Sequence, residues 1–465
     1  MRSHHPINCR AINSTALLIL ALSVIWVQPA RAQSQGAQQQ DIQQLRDKLQ
    51  QLDQMMNEVK AEIGALEGQK QTPGVPPPAM PPPVTGKKTN AEGTLDLYGY
   101  VMLDAGQNFQ RIDPNWFDVM RPTKLPAFSD EFLPDGTTFF GVRQTRFGVK
   151  TSNPTKLGDL KTLFEFELFG TGVDAGQTTF RLRHAYGELG QFGAGQTWSP
   201  FMDIDVFPNS IEYWGPNGMV FFRNVQVRWM PIKGDSHLTI AAERPGASAD
   251  GGVYSERIEL QAVKPKFNIP DFSIQGRVAR HWGYLQLAAM FRKISWVDTA
   301  KTPTRDLSGT AFGWGVNVSS NLKFGKNDTG KFQVIYGDGV ENYMNDAPVD
   351  IGIQNNFSNT KTPIKGIPLP VLGVVAFLDH TWNEKFSTSS GYSLVNISNS
   401  DAQTPAAFHQ GSYALANLLY YPVPNVMVGG EFQFGRRVNF SDGFNVNDYK
   451  LQFSFRYNWS KGFAY

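Results

Sequence analysis

Apolar and polar residues alternate without a break along the last stretch of the chain, Tyr449 to Tyr465 (YKLQFSFRYNWSKGFAY). Leu451, Phe453, Phe455, Tyr457, Trp459, Phe463 and Tyr465 share one parity, and Gln452, Ser454, Arg456, Asn458, Ser460 and Gly462 share the other. A period of two means a strand with one apolar and one polar face. The apolar face is almost wholly aromatic, which suits lipid and an interfacial girdle, while the polar face suits a wet lumen. A soluble edge strand is the competing reading, and the rest of the chain has to decide.

From Leu95 onwards the same period keeps returning. After LDLYGYVML, candidate strands fall at 139–151, 159–169, 178–189, 192–198, 220–231, 236–244, 255–265, 271–282, 284–296, 310–323, 330–340, 371–382, 387–398, 411–421, 426–438 and 449–465. The phase of the turns prunes this set. In an outer-membrane barrel the periplasmic turns are short and the extracellular loops long. Short turns at 153–158, 231–235, 325–330, 383–386 and 422–425 alternate with long excursions at 107–138, 199–219, 341–370 and 399–410. The two halves agree only if 255–265 belongs to a long loop over 245–270 and Gly283 sits in a tight hairpin. The expected fold is all-β: a sixteen-stranded antiparallel transmembrane β-barrel over 94–465, preceded by an N-terminal periplasmic coiled-coil helix.

Parity then assigns the lumen. A charge on the lipid face near the midplane costs roughly 2–4 kcal/mol, so charged residues at the polar parity face inwards. This places Arg146, Arg181, Arg183, Arg228, Arg277, Arg292, Arg437 and Arg456 in the channel, with Glu165, Glu167, Glu243 and Glu431 as the inward acids. The balance leans towards anions, although any single arginine could be spent on a cross-strand glutamate.

The excursion 199–219 (SPFMDIDVFPNSIEYWGPNGM) is too apolar to stand in water. It combines Phe201, Met202, Ile204, Val206, Phe207, Ile211, Tyr213 and Trp214 with Asp203, Asp205 and Glu212. Such a loop folds against something, here the inner barrel wall. Asp203, Asp205, Glu212, Tyr213 and Trp214 are therefore expected at a constriction, the acids opposite the wall arginines and setting a transverse field. Capping the barrel from outside is the alternative.

Upstream of the barrel the pattern changes twice. Arg2 and Arg10, an apolar run from Ala16 to Val27 and the Ala30-Arg31-Ala32 site read as a secretory signal peptide over 1–32. Ile42, Leu45, Leu49, Leu52, Met56, Val59, Ile63 and Leu66 then recur at alternating steps of three and four. That heptad seam predicts a periplasmic coiled coil within 33–70, of two or three strands, or else a helix docked on its own domain. Residues 71–93 form a Pro-rich linker containing TPGVPPPAMPPPV, a stiff extended spacer.

Composition adds a few exclusions. A formal charge of +2 over 465 residues argues against nucleic acid as a partner. The single cysteine, Cys9, precedes the apolar run of the leader, so the mature chain has no disulfide framework or thiolate metal site. His184, His237, His281, His380 and His409 are scattered without metal or triad spacing, so neither catalysis nor a cofactor is expected.

RQTRFGVK (143–150), RLRHAYGELGQFGAGQTWSPF (181–201), EYWGPNG (212–218) and YGDGVENY (336–343) together resemble the DcaP-like outer-membrane porin family, which is similar in build to the trimeric sixteen-stranded porins. The resemblance covers essentially the whole mature chain. It implies a homotrimer with three separate pores in the outer membrane of a Gram-negative bacterium, and uptake of small anionic solutes such as dicarboxylates. It maps the family's inserted third loop onto 199–219 and its wall arginines onto Arg146, Arg181 and Arg183. The family's terminal phenylalanine is replaced by Tyr465. Two other functions compete: a sugar- or phosphate-specific porin, and a structural tether reaching peptidoglycan through the coiled coil. A sugar slide wants aromatics on the lumen parity, where Tyr98 and Tyr100 are exceptions among mostly outward rings.

Overall fold

The computed structural model describes residues 93–465; the expected signal peptide, the coiled coil and all of the linker but its last residue lie outside the described residues. The first half of the barrel comprises β1 (Thr94–Asn108), β2 (Thr137–Gly141), β3 (Arg146–Thr155), β4 (Gly158–Phe169), β5 (Thr178–Leu189), β6 (Phe192–Trp198), β7 (Arg223–Ile232), β8 (His237–Glu243), β9 (Val263–Pro265) and β10 (Asp271–Arg280). The second half comprises β11 (Gly283–Asp298), β12 (Gly309–Phe324), β13 (Asp328–Asp338), β16 (Pro370–Asn383), β17 (Phe386–Ile397), β18 (Phe408–Tyr420), β19 (Val426–Asn439) and β20 (Asn445–Ala464). Between β13 and β16 a small hairpin stands apart, built from β14 (Ile351–Asn355) and β15 (Ile364–Pro368).

All neighbours in the large sheet run antiparallel, and β20 returns to β1 along its whole length, from Thr94 opposite Ala464 to Asn108 opposite Lys450. The sheet is closed, which removes every unpaired edge a membrane would punish. β2 and β3 both face β1, and β9 and β10 both face β11, so each pair is one stave interrupted by a loop. The wall therefore has sixteen staves, as the turn phase requires. Residues 255–265 do lie in the long excursion, where a helical turn at Ile258–Gln261 precedes the three residues of β9. The expected unbroken strand 139–151 is instead split at 142–145, where Arg143 turns under the loops and is buried by Asp118.

One rim carries tight turns and the other carries the long loops. Gly283 has φ +131°, and a Cβ there would collide with the carbonyl oxygen of Asn321, so this hairpin needs glycine. Outward positions such as Val227, Leu287, Phe312 and Phe453 are exposed, while Gln286, Asn317, Ser319 and Gln333 are buried inside. That inversion of a soluble core is what a lipid-facing barrel demands. Aromatic rings tile part of the outer face: Phe147 lies 5.4 Å from Phe166 and 5.6 Å from Trp459, and Phe166 lies 5.2 Å from Phe180.

The apolar cores are inside the barrel, between wall and loops. Val375, Phe377, Tyr413 and Leu415 point inwards and meet Trp116, Val119, Met120 and Leu125 from the loop after β1, with Val206 and Met219 from the loop after β6. A second cluster joins Met290, Ile335, Val371 and Val395 of the wall to Phe201, Met202, Tyr343 and Met344. Inserted chain thus packs against the inner face of the wall.

Candidate functional site in the channel

The loop after β6 follows the inner wall rather than standing above it. Its start is fixed on β10–β12, where Asp203 accepts from Arg277 (2.7 Å), Tyr284 (2.8 Å) and Ser319 (2.6 Å), while Asn317 donates to the Phe201 carbonyl (2.8 Å). Lys331 Nζ on β13 donates to the carbonyls of Asp205 (3.0 Å) and Phe207 (2.6 Å). Further round, Asn417 of β18 donates to Asn209 O (2.8 Å), and Ile211 N donates to Glu431 of β19 (3.0 Å). The loop reaches β4 and β5 at Tyr213, whose hydroxyl donates to Glu167 and whose ring stacks on Phe169 at 3.9 Å.

There the loop meets a concentrated set of charges. Arg183 donates from Nε to Glu165 (2.6 Å) and from Nη1 to Glu167 (2.7 Å). Arg146 Nη2 lies 3.3 Å, Arg181 Nη1 3.7 Å and Arg223 Nη2 3.8 Å from Glu167. Tyr98 donates to Glu165 at 2.7 Å. Four guanidinium groups thus share two carboxylates, a surplus of two positive charges. Burial sorts them: Glu167 and Glu165 expose 0% and 9% of their side chains, against 22% for Arg146 and 28% for Arg181. Arg183 and Arg223, at 4% and 5%, are as buried as the acids, so Arg146 and Arg181 are the two cations of the set left partly open.

A backbone irregularity aims this set. In the β4–β5 ladder Glu165 pairs with His184, but the next residue, Phe166, pairs with Leu182. Arg183 is the extra residue of a β-bulge, a device that redirects a side chain. His184 beside it is buried, sits 3.0 Å from the Thr197 hydroxyl, and packs edge-on against Trp198 at 4.9 Å.

Next to the cluster is a cavity of about 330 Å³ into which Arg121, Arg181 and Arg223 converge between Tyr213, Trp214, Phe221 and Phe222. Arg121, from the loop after β1, is sandwiched between the rings of Trp116 (4.1 Å) and Trp214 (4.0 Å), and its Nε lies 2.9 Å from Asp346. The one acid in the lining, Glu341, is fully buried, and burial with Asp350 nearby pushes its carboxyl well above the usual range. The cavity therefore gathers three guanidinium groups, one of them paired with Asp346.

The remaining expected residues fall into different settings. Arg228 bonds Tyr186 (2.5 Å) and Glu188 (3.3 Å) on the inner wall. Asp203 and Asp205 do meet a wall arginine, but it is Arg277, at 2.7 and 2.5 Å, and not the cluster around Glu167. Glu212 lines no constriction: it is buried and accepts from the amides of Met120 (2.9 Å) and Gly215. Burial pushes its carboxyl up to about 8. Trp214 donates to Asn345 O at 2.7 Å and forms part of the cavity wall. Arg292 and Arg437 face inwards as parity requires, yet both are buried under loops and do not line the path. Arg292 is held by Asp271 (3.0 Å) and Asp350 (2.9 Å), and Arg437 by the carbonyls of Leu125 (3.2 Å) and Ala406 (3.0 Å). Arg456 points in beside Tyr100, 5.5 Å from its ring. Of the inward acids, Glu243 accepts from Ser199 (2.8 Å) and Ser273 (2.5 Å), and Glu431 from Asn417 (2.9 Å). Arg121, Arg143 and Arg223 escaped the parity argument because they lie in loops or at a strand end.

A closed sixteen-stave barrel with an apolar outer band, an inserted loop and a charged inner face is the architecture of an outer-membrane porin. The model of the DcaP outer membrane protein family matches residues 135–459. The chain belongs to that family. Among solved structures, the outer membrane channel DcaP of Acinetobacter baumannii superposes with a TM-score of 0.65 at 20% identity, covering 81% of this chain and 100% of that one. The anion-selective porin from Comamonas acidovorans gives 0.49 at 9% identity, covering 79% and 100%. OmpT of Vibrio cholerae gives 0.48 at 12%, covering 80% and 99%. None of the curated proteins matches the sequence.

Proposed function

We propose that the protein is a passive, anion-leaning diffusion channel for small hydrophilic solutes such as dicarboxylates, assembled as a homotrimer with one pore per protomer. The observation that carries this reading is the sorting at β3–β5. Glu165 and Glu167 are buried together with Arg183 and Arg223, while Arg146 and Arg181 keep 22% and 28% of their side chains open. A guanidinium fork matches a carboxylate geometrically, and in a narrow, partly desolvated passage its charge is screened less than in bulk water. An anion therefore exchanges hydration for fixed donors, while a cation meets a surplus of like charge. The coiled coil expected within 33–70 clamps the trimer or reaches the cell wall, and the leader over 1–32 directs export.

The test is the reversal potential of the purified protein in a planar bilayer across a potassium chloride gradient. Anion preference that falls when Arg146 and Arg181 are both changed to Ser supports the reading. Cation preference in the unaltered protein overturns it, and stepwise conductance should be visible in either case.

A further inference from the structure

A second cavity of about 330 Å³ lies by the long-loop rim, away from the arginine set. Its floor is Ile294 and Trp296 of β11, its roof is Ile351 and Ile353 of β14, and Phe267 and Leu260 close its sides. Apart from Lys365, which is exposed, the polar side chains around it are spent elsewhere. Ser248 Oγ donates to Asn342 (2.7 Å), Asp250 accepts from Gly252 N (2.8 Å) and Gln403 (2.9 Å), and Ser295 accepts from Thr310 (3.1 Å). The Trp296 indole N–H donates to Leu307 O at 2.8 Å. These groups leave mainly carbon facing the space.

That lining decides what can occupy it. The space is partly open to solvent, but a water held against this lining would need roughly 2–4 polar partners, and most of the groups around it are already paired. The site is also rigid on one side. The Trp296 ring is clasped between Gly309 of β12 and Gly366 of β15, where an added Cβ would come within 2.5 Å and 2.8 Å of it. The ring is thus a fixed plate, and a fixed plate costs a guest little ordering entropy. We propose that this cavity is a binding site for a small uncharged apolar molecule of about the size of a substituted benzene, held between β11 and the β14–β15 hairpin. It is independent of the anion path and stands or falls apart from it.

Crystals of the full-length protein soaked in bromobenzene should show an anomalous bromine peak beside Trp296. Ordered water there, or an empty site, overturns the proposal. In solution, fluorobenzene titrated onto the protein in lipid nanodiscs should give a saturable fluorine resonance distinct from the lipid-partitioned one. Ala247, half-buried beside Ile294, lines the cavity. Ala247→Phe should fill it and weaken binding at least tenfold while leaving conductance unchanged. Equal binding by this variant places the guest elsewhere and overturns the proposal. Ile353→Ala, which enlarges the cavity, gives an independent check: it should admit bromonaphthalene where the unaltered protein does not, and exclusion of that probe from both counts against the site.

Discussion

Arg292 and Arg181 obey the same parity, carry the same charge and face the same lumen, yet they have opposite roles. Around β11, Arg292 is fully buried between Asp271 and Asp350 and caps the Gly339 carbonyl at 2.6 Å. Around β5, Arg181 is loosely held, 3.4 Å from the Tyr213 hydroxyl and 3.7 Å from Glu167, and stays partly open. The difference is coverage. Loops lie over the inner face of β11–β19 and convert its charges into struts, whereas β3–β5 below Tyr213 is left facing water. In a barrel, strand parity says which side chains point inwards, and loop packing says which of them a solute can meet.

The contrast can be broken at its strongest point first. Arg292→Met leaves two buried carboxylates without their counter-ion, a change expected to cost about 3–5 kcal/mol. It should lower the temperature at which the folded band disappears in heat-modifiability gels, with ion selectivity intact; unaltered heat resistance would contradict the strut assignment. The paired change Arg146→Ser and Arg181→Ser should do the reverse. Two exposed cations are lost, the surplus at Glu165 and Glu167 is cancelled, and the permeability ratio should fall towards unity with unfolding unchanged. Asp203→Ala is intermediate. It removes the shared acceptor of Arg277, Tyr284 and Ser319, so single-channel conductance should rise and become noisier as the loop's start is released. A steady, unaltered current would mean that Asn317 and Lys331 suffice.

The smallest expected effect concerns pH. Glu212 titrates near 8 when folded because of burial, above the ordinary glutamate value of about 4.3. The folded state therefore binds this proton more tightly, so its contribution to stability is complete below the ordinary value and is lost as pH rises towards and through 8. Amide exchange at Met120 and Gly215, which donate to Glu212, should quicken between about pH 5 and pH 9 beyond the intrinsic rate. Glu212→Gln should flatten that excess; an equal excess in the variant would remove Glu212 as its source.

Much of the wall was legible because lipid enforces alternation. The outward aromatics of β20, the sixteen staves and the exile of 255–265 to a loop all follow from parity and turn length. The site was legible only in part. Arg146, Arg181 and Arg183 were found by parity, but the β-bulge that turns both Arg183 and His184 inwards leaves no mark in RLRH, since a bulge is a property of two strands in register. Arg223 ends a ladder opposite Trp198, where alternation no longer predicts direction. The covered wall did leave a trace. PVLGVVAFL in β16 is apolar at both parities, so its inner face had to be hidden by something; which loop hides it depends on contacts far apart in sequence.

Those inner clusters also set an order of events. Met219 of the loop after β6 shares one buried cluster with Phe169 of β4 and Tyr413 of β18, so this packing needs staves distant in the chain to have been brought round the same lumen. A wall that closes before that packing is in place is expected to enclose a wider conduit than the mature one. A nascent, unselective leak should precede the mature current during insertion, lasting as long as the loops take to settle.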